Sequence, residues 1–290
     1  MCLSIFKHIL SGRRNVNKQV AEAMEQSDIV LIGIGRKFTA KVPEGSREEC
    51  LALYEESRFY AKLPSDHAVI QAYNALRRQI GTRPYFVVTL NTDDLIYRSE
   101  FEPEQIVAPC GSMGKLQCKE HIIEAAPIRE RILQAWEDLH GVAPGDKESS
   151  SDRKHTERFW QEQADQNEAA DLGTARALVS KYAVCPTCGA PLNFHTIANP
   201  DYLENGYLPQ WEHYKKWLTA TLNKKLCILE LGVDFTFPQV IRFPFEKTAF
   251  YNKKAIFVRV NSRFPQLEAE LAAEGRAISL AESPVEMLLE

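Results

Sequence analysis

The chain has 290 residues, of which 44% are hydrophobic and 10% are aromatic, with 14 glycines and 15 prolines. This composition excludes disordered, collagen-like and low-complexity proteins. The length fits one large domain, or one large domain with a small module, because single cores stop growing at roughly 250 to 300 residues. Thirty-five basic and 39 acidic residues give a net charge of −4, so nucleic acid is not the expected partner.

The sequence shows no signal of a membrane or secreted protein. No apolar run approaches the roughly 18 to 20 residues that span a bilayer. The apolar stretch 2–10 is interrupted by Lys7 and His8, and the basic residues Arg13 and Arg14 follow it rather than precede it. Seven cysteines, an odd number, argue against a disulfide framework. We therefore expect a cytoplasmic protein that does not contact membranes.

Four short, nearly continuous apolar runs are predicted to be buried strands. They are Ile29–Gly33, Tyr85–Leu90, Leu226–Leu231 and Ala255–Val260. Apolar residues on both faces are typical of a parallel sheet that is covered by helices. With helical periodicity between the runs, the sequence predicts an α/β fold with a doubly wound, Rossmann-like parallel sheet, whose ligands bind at the carboxyl ends of the strands.

Two helices of the sheet domain are predicted from periodicity. The first follows Pro64, is capped by Ser65 or Asp66 and ends at Gly81. Its predicted buried stripe consists of Val69, Tyr73, Leu76 and Ile80. The second spans Trp211–Leu222, and its predicted buried side consists of Tyr214, Trp217, Leu218 and Leu222. The tail, with Leu267, Leu271 and Ile278 at roughly helical spacing, is expected to pack on the sheet.

Residues 109–200 interrupt the alternation of strands and helices. Within them, the polar patch 144–152 is predicted to be a loop between helical segments. We interpret 109–200 as an inserted small zinc-binding module, and 1–108 and 201–290 as the two parts of the sheet domain.

The module contains four residues with the spacing of zinc ligands. Cys118 lies three residues before His121, and Cys185 lies three residues before Cys188. Two such pairs converge on one tetrahedral Zn²⁺, and four protein ligands make the site structural. The alternative is a site without zinc, in which Cys185 and Cys188 are free thiols and His121 caps a helix.

Five short motifs occur in a fixed order around the predicted strands and the module. They are Gly33-Ile34-Gly35 with Val42-Pro43, Thr89-Leu90-Asn91-Thr92-Asp93, Cys110-Gly111-Ser112, Gly232-Val233-Asp234 and Val260-Asn261. Together with the two metal pairs, this order resembles the sirtuin family of NAD-dependent protein deacylases, from about Ile29 to Asn261. The resemblance implies NAD as cofactor and a cofactor site formed by Gly33, Gly35, Arg36, Asn91, Asp93, Gly232, Val233, Asp234 and Asn261.

The glycine loop and the Asn-Asp motif each have a functional and a structural interpretation. Glycines let a backbone approach a pyrophosphate, and Arg36 and Lys37 can engage phosphates, unless the Arg36-Lys37-Phe38 run fills the pocket. In the family, the Asn and Asp of the second motif contact the nicotinamide riboside, which implies a catalytic role for Asn91 and Asp93. The structural alternatives are a tight turn at the glycines and ordinary turn residues at Asn91 and Asp93.

Cys110 stands where deacylating sirtuins have the histidine that acts as general base. A thiol with a pKa near 8.5 does not replace an imidazole with a pKa near 6.5 unless its surroundings shift it strongly. Cys110 is therefore either a nucleophilic or redox residue of the catalytic site or a small packing residue.

The macrodomain-linked sirtuins of certain bacteria also lack this histidine. Segments 110–118 and 229–234 resemble the corresponding segments of that branch. That branch is associated with mono-ADP-ribosylation of a lipoyl-carrier protein of the glycine-cleavage type. Its members typically carry Gln at the histidine position, so Cys110 departs from them as well.

Glu230 is a carboxylate in an otherwise apolar strand. A buried charge needs a partner, and Arg36, Arg242 or a ligand hydroxyl are the predicted partners. We assign Glu230 to the cofactor site, with capping of backbone amides as the structural alternative.

The resulting functional hypothesis is an NAD-dependent protein-modifying transferase, with ADP-ribosyl transfer favoured over lysine deacylation. The alternative is a catalytically impaired module that binds NAD, ADP-ribose or a partner protein. A third hypothesis is an interaction protein that docks through the zinc module and the loop around Ser149.

Overall fold

A computed structural model describes residues 18–43, 49–140 and 173–290 of the chain. The apolar stretch 2–10 and the loop around Ser149 lie outside the described residues. Within the described ranges, no helix is both long enough and apolar enough to cross a membrane.

The described residues form nine strands in two sheets. The strands are β1 (Ile29–Ile34), β2 (Tyr85–Thr89), β3 (Ile106–Val107), β4 (Gly111–Gln117), β5 (Ile122–Glu124), β6 (Asn193–Thr196), β7 (Leu226–Leu231), β8 (Ile256–Val260) and β9 (Ala277–Leu280). The larger sheet is parallel throughout and has the strand order β3-β2-β1-β7-β8-β9. The smaller sheet is antiparallel and has the order β5-β4-β6.

The strand order makes the larger sheet doubly wound, as the sequence predicted. From β1 the chain proceeds outward through β2 and β3 on one side, and through β7, β8 and β9 on the other. The order reverses between β1 and β7, and ligands of such sheets bind at the carboxyl ends of the strands at this point.

Helices cover both faces of the larger sheet. The helices of the described residues are α1 (18–25), α2 (Glu49–Lys62), α3 (Ala68–Ile80), α4 (Ala126–His140), α5 (173–182), α6 (Leu208–Ala220), α7 (Arg242–Tyr251), α8 (Ala269–Ala273) and α9 (Pro284–Leu289). Val30 of β1 joins one core with Leu76 of α3, whereas the next residue, Leu31, joins a second core with Phe245 of α7. Successive residues of β1 are therefore buried on opposite faces, which explains the continuous apolar pattern.

The four predicted strands are confirmed, and the helices differ from prediction in detail. All four stripe residues of α3 are buried, but its N-cap is His67, whose Nδ1 accepts a hydrogen bond from the backbone of Val69. Tyr214 of α6 is buried as expected, whereas Leu222 lies beyond the helix and is 64% exposed. The helical spacing predicted for the tail was wrong for Ile278, because this residue lies in β9, the edge strand of the six-stranded sheet.

The smaller sheet is built from residues between 111 and 196. Its apolar side shares the first core, since Leu116 of β4 and Phe194 of β6 pack in the same cluster as Leu76. Ser57 of α2 donates a hydrogen bond of 2.7 Å to the Met113 carbonyl of β4, so α2 is tied directly to this sheet. The division of the chain into domains at 109 and 200 stays a prediction.

Candidate functional site

The loops that follow β1, β7 and β8 meet at the carboxyl edge of the parallel sheet. The backbone N–H of Gly35 donates to the Leu231 carbonyl at 2.8 Å, and that of Gly232 donates to the Val260 carbonyl at 2.9 Å. Asn261 Nδ2 donates to the Val233 carbonyl at 2.7 Å. The structure therefore brings together most of the residues that the motifs marked along the chain.

Gly33, near the end of β1, and Gly35, just after it, are explained by close packing. A Cβ on Gly33 would lie 2.5 Å from Ile241 Cγ2, just before α7, and a Cβ on Gly35 would lie 2.3 Å from the Gly232 carbonyl oxygen. Both distances are too short for any side chain. The glycines are needed for the contact of α7 with the sheet and for the contact between the loops.

Asn261 and Asp234 use their side chains to fix backbone. The Oδ1 atom of Asn261 accepts hydrogen bonds from the backbone of Arg263 at 2.9 Å and Phe264 at 3.0 Å. The Oδ1 atom of Asp234 accepts one from the backbone of Thr236 at 2.9 Å. These side chains hold the loops after β7 and β8 in place.

The Arg36-Lys37-Phe38 run turns its charged residues outward and its ring inward. Phe38 is fully buried in the core and packs against Tyr73, with ring centroids 4.5 Å apart. Arg36 and Lys37 are exposed, and Arg36 Nη1 lies 3.4 Å from Thr236 Oγ1. Phe38 is thus a core residue, while the guanidinium of Arg36 is accessible to a ligand.

Asn91 connects the turn after β2 to the loop after β1. It is 8% exposed, and its Nδ2 donates to the Phe38 carbonyl at 2.5 Å. Its Oδ1 is buried without a hydrogen-bond partner in the described part of the chain. An unsatisfied buried acceptor costs about 1–3 kcal/mol, so such atoms are expected where a ligand or a water molecule completes the site.

Asp93 makes a second connection to the same loop. Its Oδ2 accepts a hydrogen bond from Thr39 Oγ1 at 2.5 Å, and its Oδ1 accepts one from the backbone of Leu95 at 3.0 Å. Burial and, to a lesser extent, the nearby charges of Asp94 and Glu56 raise the pKa of Asp93 to about 6 against the opposing effect of these two hydrogen bonds. Asn91 and Asp93 together brace the loop that carries Arg36.

Cys110 is buried and carries an un-ionised thiol. Burial raises its pKa to about 12, although the positive charge of Arg36 acts in the opposite direction. The thiolate is the reactive form of cysteine, and at neutral pH this side chain is a thiol. The structure therefore favours the packing interpretation of Cys110 over a nucleophilic one.

Glu230 has a different partner from those predicted. Its Oε2 forms an ion pair of 2.7 Å with Arg259 Nε, and both side chains are almost completely buried. Arg259 lies on β8, directly opposite Glu230 of β7, and also forms an ion pair with Glu246 of α7 at 2.8 Å. The predicted contact of Glu230 with Arg36 is wrong, because Arg259 on the neighbouring strand forms the ion pair, whereas the charge of the predicted Arg242 also acts on Glu230 and lowers its pKa.

A cavity of about 360 Å³ opens beside these loops, between the parallel sheet and the smaller sheet. It is lined by Arg36, Leu53, Glu56, Leu90, Thr92, Cys110, Met113, Phe194, Thr196, Ile197, Ala198 and Phe237. Its volume is at the lower end of the range of ligand pockets. We call it the edge cavity.

The predicted metal ligands form a cluster at the other end of the smaller sheet. The ligand atoms of Cys118, His121, Cys185 and Cys188 all lie within 4.8 Å of one another. Cys118 Sγ is 3.7 Å from Cys188 Sγ and 3.4 Å from His121 Nδ1. Tetrahedral zinc, with Zn–S of about 2.3 Å and Zn–N of about 2.0–2.1 Å, requires about 3.8 Å between sulfurs and about 3.6 Å between sulfur and nitrogen.

Local backbone prepares this cluster for a metal. The N–H groups of Glu120 and His121 lie 3.5 and 3.2 Å from Cys118 Sγ and lower the pKa of that thiol, which favours the thiolate form that binds metals. Gly189, directly after Cys188, has a φ of 73°, a conformation that glycine adopts without strain. The residues present fit a zinc ion.

Comparison with known proteins places this geometry in a known fold. No protein-family model matches the chain. A protein ADP-ribosyltransferase of Staphylococcus aureus is 22% identical over 279 residues, covering 83% of this chain and 76% of that protein. A probable bifunctional ADP-ribose hydrolase/ADP-ribosyltransferase of Fusarium oxysporum is 26% identical over 163 residues, covering 56% of this chain and 23% of that much longer protein.

A solved sirtuin structure, from work on the structural basis of sirtuin substrate affinity, superposes with a TM-score of 0.50. The superposition covers 94% of this chain and 96% of the sirtuin, at 11% identity. The chain has the sirtuin fold. The resemblance predicted from the order of the motifs is thereby confirmed for the architecture.

Within this sirtuin fold, the motif residues and the cavity-lining residues are largely different sets. Of the residues predicted for the cofactor and catalytic site, Arg36 and Cys110 line the edge cavity. Asn91 and Asp93 flank Thr92, which does line it. Sequence reasoning missed Glu56, because no motif marks it and α2 was not among the predicted helices.

Proposed function

We propose that this sirtuin-fold chain is an NAD-dependent enzyme that transfers ADP-ribose to a protein acceptor rather than removing acyl groups from lysine. The observation that carries the proposal is Cys110, which lines the edge cavity as a neutral thiol with a pKa of about 12. Sirtuin deacylation depends on a histidine base at this position. No histidine is among the described residues that line the cavity.

The residues around the edge cavity suit NAD. The guanidinium of Arg36 is exposed at the cavity and is the type of group that binds a pyrophosphate bidentately. Asn91 offers the unpartnered Oδ1 and holds the Phe38 carbonyl, while Asp93 holds Thr39. These two residues would keep the Arg36 loop in position while NAD is bound.

The proposed reaction breaks the bond between the ribose C1 and the nicotinamide nitrogen. Nicotinamide leaves with the bonding electron pair through an oxocarbenium-like transition state, and a nucleophile of the acceptor forms the new bond to C1. This transfer does not require deprotonation of a ribose hydroxyl, which is the step that Cys110 cannot serve.

The acceptor is proposed to be a protein, in line with the names of the two relatives. A lipoyl-carrier protein is the expectation from the macrodomain-linked sirtuins and rests on that resemblance alone. The edge cavity is open and lies beside the exposed side chains of Leu53 and Ile197, which leaves room for a macromolecular surface to approach.

We also propose zinc as the metal of the Cys118, His121, Cys185 and Cys188 cluster. Four protein ligands leave no open coordination position, so the ion would stabilise the module and take no part in the transfer.

Incubation with NAD labelled in both halves tests the function. The wild type is expected to release nicotinamide and to leave the adenylate label on protein. Asn91→Ala should lower this activity at least about 100-fold, because the loop that carries Arg36 loses a brace. Asn74→Ala, on the surface of α3, is the matched control and should retain activity. Undiminished activity of Asn91→Ala would remove the assigned site.

The second candidate function is a module that binds NAD without turnover, and the un-ionised Cys110 is the observation that favours it. Calorimetry combined with an assay for nicotinamide distinguishes the two. Binding of NAD without release of nicotinamide supports the module, whereas release supports the enzyme.

A further inference from the structure

Most of the described residues that line the edge cavity are uncharged. Of its described lining residues, two are charged, the cation Arg36 and the anion Glu56. Cys110 is neutral. Within the described part of the chain, Glu56 is therefore the lining carboxylate that can receive a proton released inside this cavity.

The fold holds Glu56 in a fixed position. One turn further along α2, the Tyr60 hydroxyl donates to Glu56 Oε1 at 3.1 Å. The neighbouring Ser57 binds the Met113 carbonyl of β4 and accepts a hydrogen bond of 2.9 Å from Arg129 Nη1. Because Met113 lines the same cavity, this buried connection fixes the distance between α2 and the opposite wall.

Asp93, a second carboxylate among the described residues near this region, is already committed to structure. Both oxygens of Asp93 accept hydrogen bonds within the protein, and Asp93 is not among the residues that line the cavity. Glu56 faces both this cavity and a neighbouring one bounded by Pro43, Phe59 and Leu63. Its carboxylate is half-buried and remains within reach of solvent, to which a proton can be passed.

We propose that Glu56 is the general base that accepts the proton of the acceptor nucleophile. This inference rests on the proposed function. As the C1–nitrogen bond breaks and nicotinamide leaves with the electron pair, the nucleophile forms its bond to C1 and its proton passes to the Glu56 carboxylate, then to water.

The role of Glu56 defines the class of acceptor. A base is required for a hydroxyl, an amine, a guanidinium or water, each of which must lose a proton to give a stable product. An acceptor carboxylate is already ionised and needs no base. The structure therefore assigns acceptors that carry a proton on the attacking atom, and disfavours aspartate and glutamate, which the negative charge of Glu56 would also repel.

The test uses the full chain, NAD and water as the nucleophile, because hydrolysis of NAD to ADP-ribose and nicotinamide also requires the loss of a proton. Glu56→Gln should lower kcat about 100-fold or more while the Kd for NAD changes less than about threefold. Formate added to Glu56→Ala should restore a large part of the rate, since a small carboxylate can occupy the vacated space. The control is Glu55→Gln, which removes the same charge from the adjacent position, outside the edge cavity.

The outcomes separate this role from the proposed function. Wild-type release of nicotinamide with an unchanged rate in Glu56→Gln overturns the role of Glu56 and leaves the transferase standing. Failure of formate to restore activity to a folded, NAD-binding Glu56→Ala variant also overturns it. A free carboxylate can replace a missing base, whereas it cannot replace a residue that only positions its neighbours. Absence of nicotinamide release by the wild type, both in water and with a cell extract as the source of protein acceptors, overturns the proposed function and the role of Glu56 with it.

Discussion

The metal cluster and the edge cavity are encoded in the sequence in different ways. In the cluster, each pair of ligands lies three residues apart, and the structure places all four ligand atoms within 4.8 Å. At the edge cavity, the walls come from α2, from the loops after β1, β2 and β7, and from the strand ends of the smaller sheet. Residues that follow strands, such as Asn91 and Asp93, brace these loops rather than line the cavity.

A motif at a strand end can therefore mark residues that support a site instead of residues that line it. A short pair such as Cys185 and Cys188 leaves little geometric freedom, so its residue types identify the site directly. A loop such as 35–40 must be held by side chains from elsewhere, and those side chains carry the recognisable pattern.

The largest expected effect comes from breaking the metal cluster. Cys185→Ser removes one of four ligands, and the protein should lose stoichiometric zinc in elemental analysis. Because metal binding supplies folding free energy, we expect the Tm to fall by at least about 10 °C. Cys50→Ser, on α2 and outside the cluster, should keep its zinc. Zinc retained by Cys185→Ser would contradict the assignment.

The next prediction compares the substitution of a glycine in the loops beside the edge cavity with that of a glycine beside the metal cluster. A Cβ on Gly35 would lie 2.3 Å from the Gly232 carbonyl oxygen, a backbone atom that cannot move away alone, so Gly35→Ala should destabilise the fold by about 3 kcal/mol or more. Gly189→Ala meets no atom of the described residues within 4 Å, and its φ of 73° accounts for an expected loss of about 1–2 kcal/mol.

Urea denaturation of the two variants measures the difference. Equal losses of unfolding free energy would mean that the loops after β1 and β7 are not in the close contact described above.

The smallest of these effects concerns Asp93 and depends on pH. Its pKa is about 6 in the folded protein, raised from an ordinary value of 3.8, so the folded state binds the proton more tightly than the unfolded state. The contribution of Asp93 to stability is therefore fully present below about pH 4 and is lost as the pH rises through 6. The loss is on the order of 2–3 kcal/mol.

Asp93→Asn should remove this dependence of the unfolding free energy on pH. Denaturation of the wild type and the variant at several pH values between 4 and 7 measures it, with the difference between the two proteins isolating Asp93 from other titrating groups. A difference that does not change with pH would show that Asp93 is not held as described.

The architecture was predictable to a large extent, because burial on both sheet faces leaves a continuous apolar pattern in β1, β2, β7 and β8. β3 has only two residues and β9 follows a short helix, so neither produced a pattern that periodicity could detect. The cluster of Cys118, His121, Cys185 and Cys188 was predictable from spacing. Glu56 was not, since its place at the cavity depends on how α2 packs against β4, and the partner of Glu230 was missed because Arg259 is adjacent only through strand pairing.

If the edge cavity is the NAD site, a variant that fills the cavity should not bind NAD. Thr92 lines the cavity and is half-buried, so Thr92→Trp should occupy the space with little change to the core. Calorimetric titration of NAD into zinc-loaded protein is expected to show one binding site in the wild type and none in Thr92→Trp, with equal zinc content in both. Equal NAD affinity of the two proteins would contradict the account.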